Sequence, residues 1–538
     1  MASLDFDYIV IGAGSAGSAL AGRLSEGGDA TVLVLEAGGW DLSPLIHIPA
    51  LHMHLFGNEK HDWRYPIAPD PSREGRVDIW PAGKVLGGGS SINGMVYIRG
   101  LPSDYDGWAE AGATGWDYQN VLPYFRKAEG NRRGADRFHG ADGPMGVDDI
   151  RAPREVTQVF LEAAREAGFP ESRDPNSDQP EGLGRAQASQ RRGLRSSAAR
   201  AYLHRAAFRQ SCTVLTRALV ERIEIDAGRA TGVHFHHKGK VEFARARKEV
   251  ILSAGAIATP KILMLSGIGD PDHLSQMGIA VNSALPGVGQ NLQEHPGVVV
   301  SLNVSMTTLN AETGPLDYLR HALEFAFLRR GAATTSIAHA VGYLKTDPGL
   351  HLPDLQVQFT PFAYDFGPAG ATLASERACG VAVNPCRPGA RGEIRLASTE
   401  PAAPPVIDHQ LLGSDKDVAI LVKGIRMMRQ IFSSPRFAAI AGAERLPGAD
   451  LQSDAALGAA VRAMAFPMYH PVGTARMGAA NDDRVVVTPD LCVKGIQGLR
   501  VADASIMPNL ISANTNAASI MIGEKAADLI RAAAKETR

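Results

Sequence analysis

Three glycines and one acid near the start of the chain have the types and spacing to hold a dinucleotide. Gly12, Gly14 and Gly17 lie in GAGSAG, and Glu36 follows 19 residues after Gly17. In such a turn the first glycine permits the tight bend and the second lets backbone approach a pyrophosphate. The third lets helix and strand pack closely. The N–H groups at the helix start face the phosphates, and the acid suits a ribose hydroxyl pair. A carboxylate there opposes a 2′-phosphate, which argues against NADP. FAD and NAD stay open. A glycine-rich surface turn is the plain alternative. The flanking apolar runs at 7–11 and 31–35 count against it, because they read as buried parallel strands around a short helix.

A second stretch, residues 83–95, carries Gly87, Gly88, Gly89, Ser90 and Ser91 in a row. This backbone can approach a planar ligand and offer N–H donors. Apolar Val85, Leu86, Met95 and Val96 on both sides favour a buried loop over a flexible linker. His470 lies between Tyr469 and Pro471. Taken alone, it reads as a turn histidine.

The elements that must position these groups span 538 residues, room for three or four domains at about 150 each, or fewer if they interleave. A net charge of −2 gives no electrostatic case for nucleic acid or an anionic membrane. The basic stretch at 185–209 is broken by Ser, Ala and Leu and reads as a solvated face. Cys212, Cys379, Cys386 and Cys492 are widely spaced, as expected of reduced buried thiols and of neither a metal site nor a redox disulfide. A first strand by residue 6 leaves no room for a signal peptide, and no apolar run reaches 18 residues. A cytoplasmic location is the expectation, with peripheral membrane association left open.

Residues 40–80 read as an extended excursion and 155–168 as an amphipathic helix. The pattern predicts antiparallel strands over 214–225, 230–236 and 249–252. A helix follows with Pro260 near its first turn. Residues 300–465 have the texture of a second sheet backed by helices. A closing helix is expected over 517–535, with Asn516 as its N-cap.

Six blocks in order now resemble the glucose–methanol–choline (GMC) flavoprotein oxidoreductases: GAGSAG at 12–17, AGKVLGGGSSINGMVYIRG at 82–100, GAIATPKILMLSGIG at 255–269, PGVGQNLQEHP at 286–296, YHPVGTARMG at 469–478, and VADASIMPNLISANTNAASIMIGEKAADLI at 501–530. The resemblance covers nearly the whole chain. It implies an α/β fold in which a Rossmann-like FAD-binding domain (1–155, 205–305 and 480–538) interleaves with an α+β substrate domain (156–204 and 306–479). It implies FAD, with the adenosine half at Glu36 and Ala37 and the pyrophosphate over Gly12, Gly14, Ser15, Ala16 and Gly17. Lys84, Val85, Gly88, Gly89, Ser91, Asn93, Gly94, Met95 and Val96 would run along the flavin ring. Val220 would meet adenine. Ala254, Asp503, Ala504, Asn516 and Ala517 complete the expected cofactor set.

The resemblance also carries a catalytic pair onto His470 and Asn514. A neutral histidine can take the hydroxyl proton while a hydride leaves the alcohol carbon for flavin N5. Asn514 can hydrogen-bond the developing alkoxide. Ile92 stands where some relatives carry a histidine bonded to the flavin, so non-covalent FAD is expected. Ala82 stands where many relatives have Arg. His339 matches a position where many relatives carry Glu, which counts against choline.

The implied reaction is oxidation of a primary, aromatic or otherwise apolar, alcohol to its aldehyde. Electrons then pass to a quinone-type carrier or, as an oxidase, to O2. A flavin-containing hydroxynitrile lyase, a fatty-acid photodecarboxylase and a NAD-linked dehydrogenase are the other readings. The His470–Asn514 pair argues against the photodecarboxylase. His339, Phe359, Phe362, Tyr364, Phe366, Phe466, Met468 and Tyr469 are the candidates to line the substrate pocket, with about half expected to be ordinary core. No metal is expected.

Overall fold

The two leading apolar runs pair as parallel neighbours. The strand Leu4–Ile11 sets Tyr8, Ile9, Val10 and Ile11 beside Val32, Leu33, Val34 and Leu35 of the strand Val32–Glu36. Their continuous apolar character follows from helices and loops covering both faces. The computed structural model describes residues 4–367 and 370–536. Its first sheet runs in the order Cys212–Thr216, Val32–Glu36, Leu4–Ile11, Lys240–Leu252, Arg229–His237, Ala218–Asp226, and Leu499–Val501 pairs with Lys240–Leu252. One face carries the helix Ser15–Leu24 with the closing helix Asn516–Glu536 against it. Gly523 makes that approach possible, since a Cβ there would lie 2.3 Å from the Ala16 carbonyl oxygen.

The predicted antiparallel strand over 214–225 is two strands. Arg217, at φ 56°, breaks the run. Cys212–Thr216 pairs parallel with Val32–Glu36, and only Ala218–Asp226 enters the antiparallel meander. Residues 249–252 are the end of the 13-residue strand Lys240–Leu252, which pairs antiparallel at its start and parallel with Leu4–Ile11 further on. Periodicity does not encode direction, so these pairings were not in the pattern.

A second, antiparallel sheet runs Ala340–Leu344, Leu355–Thr360, Ala378–Pro385, Pro296–Val304, Ala441–Leu446. The helices Asp415–Phe432 and Glu155–Glu166 back it, and Phe160 stacks on Phe359 at 4.3 Å. Pro296–Val304 was assigned with the FAD-binding part on sequence. It hydrogen-bonds instead into the middle of this second sheet, along residues 298–303. A buried valine run suits either sheet, which is why the pattern did not separate them.

Pro260 is also displaced from its expected place, sitting in the interior of the helix Gly255–Leu265. Its missing N–H would have bonded the Ala256 carbonyl. That oxygen instead accepts the Thr474 hydroxyl at 2.6 Å. The basic stretch is not wholly solvated: Arg195 is buried and donates to the carbonyls of Ile46 and Ser90 and to Asn93 Oδ1. Cys212, Cys379 and Cys386 are buried free thiols, whereas Cys492 is partly exposed. Among the described residues no His/Cys/Asp/Glu group could hold a metal ion, and no helix is long and apolar enough to cross a membrane.

Replacing Thr474 by Val leaves the buried Ala256 carbonyl without a donor. The expected outcome is a loss of about 1–3 kcal/mol in chemical denaturation. An unchanged midpoint and slope would show that the proline-containing helix does not need this bond.

Candidate active site

A cavity of about 400 Å3 runs between the two sheets. Three helix starts border it: Gly14, Ser15 and Ala16, then Ala254, Gly255 and Ala256, then Thr515 and Asn516. Each turns the positive end of a helix dipole toward it, so together they favour a polyanion. The Ser15 hydroxyl donates to Asn516 Oδ1 at 2.8 Å and locks two of these starts together. Asn516 is therefore the first helical residue, with its side chain engaged across the cavity rather than capping its own helix.

The glycines explain the shape. Gly12, at φ 97°, has the Ser253 carbonyl oxygen 2.4 Å from where a Cβ would stand. At Gly17 that Cβ would lie 2.0 Å from the Gly12 oxygen. Gly14 and Gly89 are different: a Cβ on either would meet nothing within 4 Å and would project into open space. The backbone is thus a cradle for a ligand that approaches it closely. Glu36 lines the far end, accepting N–H bonds from Ala13 at 3.0 Å and Gly38 at 2.7 Å. Burial pushes its carboxyl up to about 7 against those two donors.

The opposite end carries His470 and Asn514. Two segments zip together there: Gly297 pairs with Phe466, Pro296 with Pro467 and Gln293 with Val472. Tyr469 interrupts the ladder at φ 63°, and His470 follows this left-handed kink. Glu294 fixes the kink by accepting the His470 backbone N–H at 2.8 and 2.7 Å and that of His295 at 2.8 Å. Burial raises the Glu294 carboxyl to about 8.

Hydrogen bonding decides which His470 nitrogen bears the proton. The Cys386 carbonyl can only accept, so His295 Nε2, 3.2 Å away, carries hydrogen. His295 Nδ1 is then a lone pair, and His470 Nδ1 must donate to it across 3.0 Å. His470 Nε2 keeps its lone pair, which accepts from Asn514 Nδ2 at 2.9 Å. Asn514 Oδ1 in turn accepts from Gln356 and Gln358 at 3.4 and 3.5 Å. Burial, and secondarily His295, hold His470 well below the usual histidine range. It rests neutral, with its Nε2 lone pair held by Asn514 on the cavity wall.

Of the expected cofactor residues, Gly12, Gly14, Ser15, Ala16, Glu36, Ala37, Gly88, Gly89, Asn93, Gly94, Met95, Val96, Val220, Ala254, Asp503, Ala504 and Asn516 line the cavity. Gly17, Lys84, Val85, Ser91 and Ala517 do not. Gly17 serves packing, the Ser91 hydroxyl bonds the Leu86 carbonyl at 2.7 Å, and the Lys84 ammonium lies 4.7 Å from the Trp63 ring centre. Val85 packs with Ile46, Leu55 and Ile92. Ala517 is buried in the main core.

Among substrate candidates, Phe466, Met468 and Tyr469 line the cavity. Phe359 and Phe362 are buried away from it, Phe359 against Phe160 and Phe362 edge-on to Tyr364. His339 also lies off it, bonded to the Thr335 hydroxyl at 2.7 Å and held by burial at about 3. The side chain of Phe366 lies outside the described residues. Sequence reading missed Phe56, Trp63, Ile337 and Gln358 in the lining, and His295 behind the base. The Gln-Val-Gln alternation at 356–358 put both glutamines on one strand face, a signal that was there to read.

A nucleotide cradle running into a neutral histidine defines a dinucleotide-dependent redox enzyme. Residues 6–297 and 388–523 match the GMC oxidoreductase family. The chain is 41% identical to human mitochondrial choline dehydrogenase over 98% of its own length and 90% of that protein's. It is 40% identical to the oxygen-dependent choline dehydrogenase of Rhizobium rhizogenes, covering 97% and 95%. The structure of pyridoxine 4-oxidase from Mesorbium loti superposes with a TM-score of 0.87 at 28% identity, covering 98% and 99%. The chain belongs to the GMC oxidoreductases: it is an FAD-dependent oxidoreductase acting on CH–OH donors.

His295→Leu removes the acceptor for the His470 Nδ1 proton and frees the other tautomer. Anaerobic flavin reduction by a good alcohol should slow about 10–100-fold, the size of effect seen when a metal-binding histidine loses its outer partner. FAD content should be unchanged. Reduction at the wild-type rate would reject the tautomer assignment.

Proposed function

We propose that the chain oxidises a primary, aromatic or otherwise apolar, alcohol to the aldehyde, with His470 as the base and electrons passing to a quinone-type carrier. The observation that carries this reading is the His470 Nε2 lone pair beside the Asn514 N–H, both on the cavity wall. A substrate hydroxyl that displaces the Asn514 bond to Nε2 donates its proton to Nε2 and accepts from the freed Asn514 N–H, which stabilises the alkoxide that develops. Bound FAD supplies the hydride acceptor.

Support for the cofactor roles comes from the cradle. Glu36 holds the ribose, the turn at Gly12 to Ala16 and Ala504 hold the pyrophosphate, and the helix start at Asn516 faces the flavin pyrimidine ring, whose reduced form is negative there. Asp503 acts indirectly: its carboxylate accepts from Gly255 N–H, the Thr259 hydroxyl and Ser505 N–H, and so fixes one helix start. Support for an apolar, uncharged substrate comes from Phe56, Ile337, Phe466 and Met468 in the lining. The only acids among the described lining residues are Glu36 and Asp503. On the acceptor the relatives' names divide: the 41% identical human protein is named a dehydrogenase, and the 40% identical Rhizobium rhizogenes protein is named oxygen-dependent. Ile92 lines the cavity with no nucleophilic atom, which supports non-covalent FAD.

Acid precipitation should release the yellow chromophore into the supernatant, and colour kept in the pellet would sink the non-covalent assignment. His470→Ala should slow anaerobic flavin bleaching about 10²–10⁴-fold and leave FAD in place. Asn514→Ala should cost less, about 10²–10³-fold at most. A panel of benzylic and aliphatic alcohols and choline, with a dye or O2 as acceptor, tests the substrate and acceptor directly. Bleaching of His470→Ala at the wild-type rate would make His470 a turn histidine and the mechanism wrong.

A further inference from the structure

One helical segment is built unlike the rest of the surface. The helix Pro315–Leu323 and the wider turn Glu324–Leu328 that continues it bury none of their residues. Leu316, Leu319, Leu323 and Phe327 recur at spacings of three and four and form one stripe. Their exposures are 81, 56, 49 and 80%. Helices this short are marginal in water without packing on an apolar face, and among the described residues this stripe stays half or more exposed at Leu316, Leu319 and Phe327. A contiguous apolar stripe on a surface marks an interaction site.

The charge around it selects the partner. Glu312 is paired with Arg154, Arg320 and His321, and Asp317 with Arg320. Glu324 is left as the segment's one acid without an ion pair among the described residues. Arg329 and Arg330 close the segment and are exposed. The tight turn at Arg192 and Gly193 abuts them, with the Arg329 carbonyl oxygen 2.4 Å from where a Gly193 Cβ would stand. Arg192 belongs to a cluster with Arg191, Arg200 and Arg205, whose like charges press on one another. None of these arginines has an ion-pair partner among the described residues.

We infer that the Pro315–Leu328 segment is an amphipathic anchor that lies in the interface of an anionic lipid bilayer. Its leucines and Phe327 enter the acyl boundary, and the arginines at its end meet lipid phosphates. A second copy of the chain fits worse. A two-fold contact would set this arginine-rich patch against another of the same charge. The inference does not depend on which acceptor takes the electrons.

The full-length holoenzyme should sediment with vesicles of phosphatidylcholine containing phosphatidylglycerol, and far less with phosphatidylcholine alone or at high salt. The combined Leu316→Ser, Leu319→Ser and Phe327→Ser variant should lose at least about tenfold in partitioning. Arg192→Glu, Arg329→Glu and Arg330→Glu should each lower it about fivefold or more. An unchanged bound-flavin spectrum verifies folding, and the charge variants test the idea independently should the triple variant fail to fold. No binding to the anionic vesicles, binding that none of these variants weakens, or a dimer that the triple variant dissociates without any vesicle binding would each overturn the proposal.

Discussion

A neutral imidazole buried between two sheets must have both ring nitrogens matched, and the active site is arranged around that requirement. His470 meets it with one donor and one acceptor atom, each answered by a neighbour of fixed polarity. The polarity propagates from the Cys386 carbonyl through His295, His470 and Asn514 to the glutamines of the Leu355–Thr360 strand. The one lone pair of the ring, on Nε2, is held by Asn514 on the cavity wall. Its basicity is set mainly by burial, and its direction by this chain of bonds.

The same chain joins the two sheets. Asn514 leads into the closing helix, which packs on the dinucleotide fold, whereas Gln356 and Gln358 belong to the antiparallel sheet. The segments at 293–297 and 466–472 form the seam between them. The helix start at Thr515 and Asn516 therefore links the two halves of the cavity wall, bonded to Ser15 of the glycine cradle on one side and following Asn514, the partner of His470, on the other. The cradle residues and the His470–Asn514 pair thus line one continuous cavity.

Some of this was legible because it is local. Gly12, Gly14 and Gly17 declare their use through spacing, as an added Cβ would strike backbone at two of them and enter the void at the third. Glu36 ends a buried strand at the distance the motif requires. Phe466, Met468 and Tyr469 were drawn to the site by their neighbour His470. Phe359 and Phe362 looked alike on paper but face the core, since strand register and not residue type chooses a side. His339 was likewise a reasonable candidate whose ring is turned to Thr335.

The sequence by itself determined the parallel strands, the glycine cradle and the acid that follows it, and its resemblance to the family pointed to His470 and Asn514. The strands, cradle and acid depend on periods and spacings within a few dozen residues. Only the tertiary structure decided strand direction at 212–216, the sheet to which 296–304 belongs, and the donor that satisfies the carbonyl freed by Pro260. It alone set the tautomer of His470, because that rests on His295, 175 residues away in the chain. A hydrogen bond between distant segments leaves no period in the sequence, and the polarity of such a bond exists only once both ends are in place.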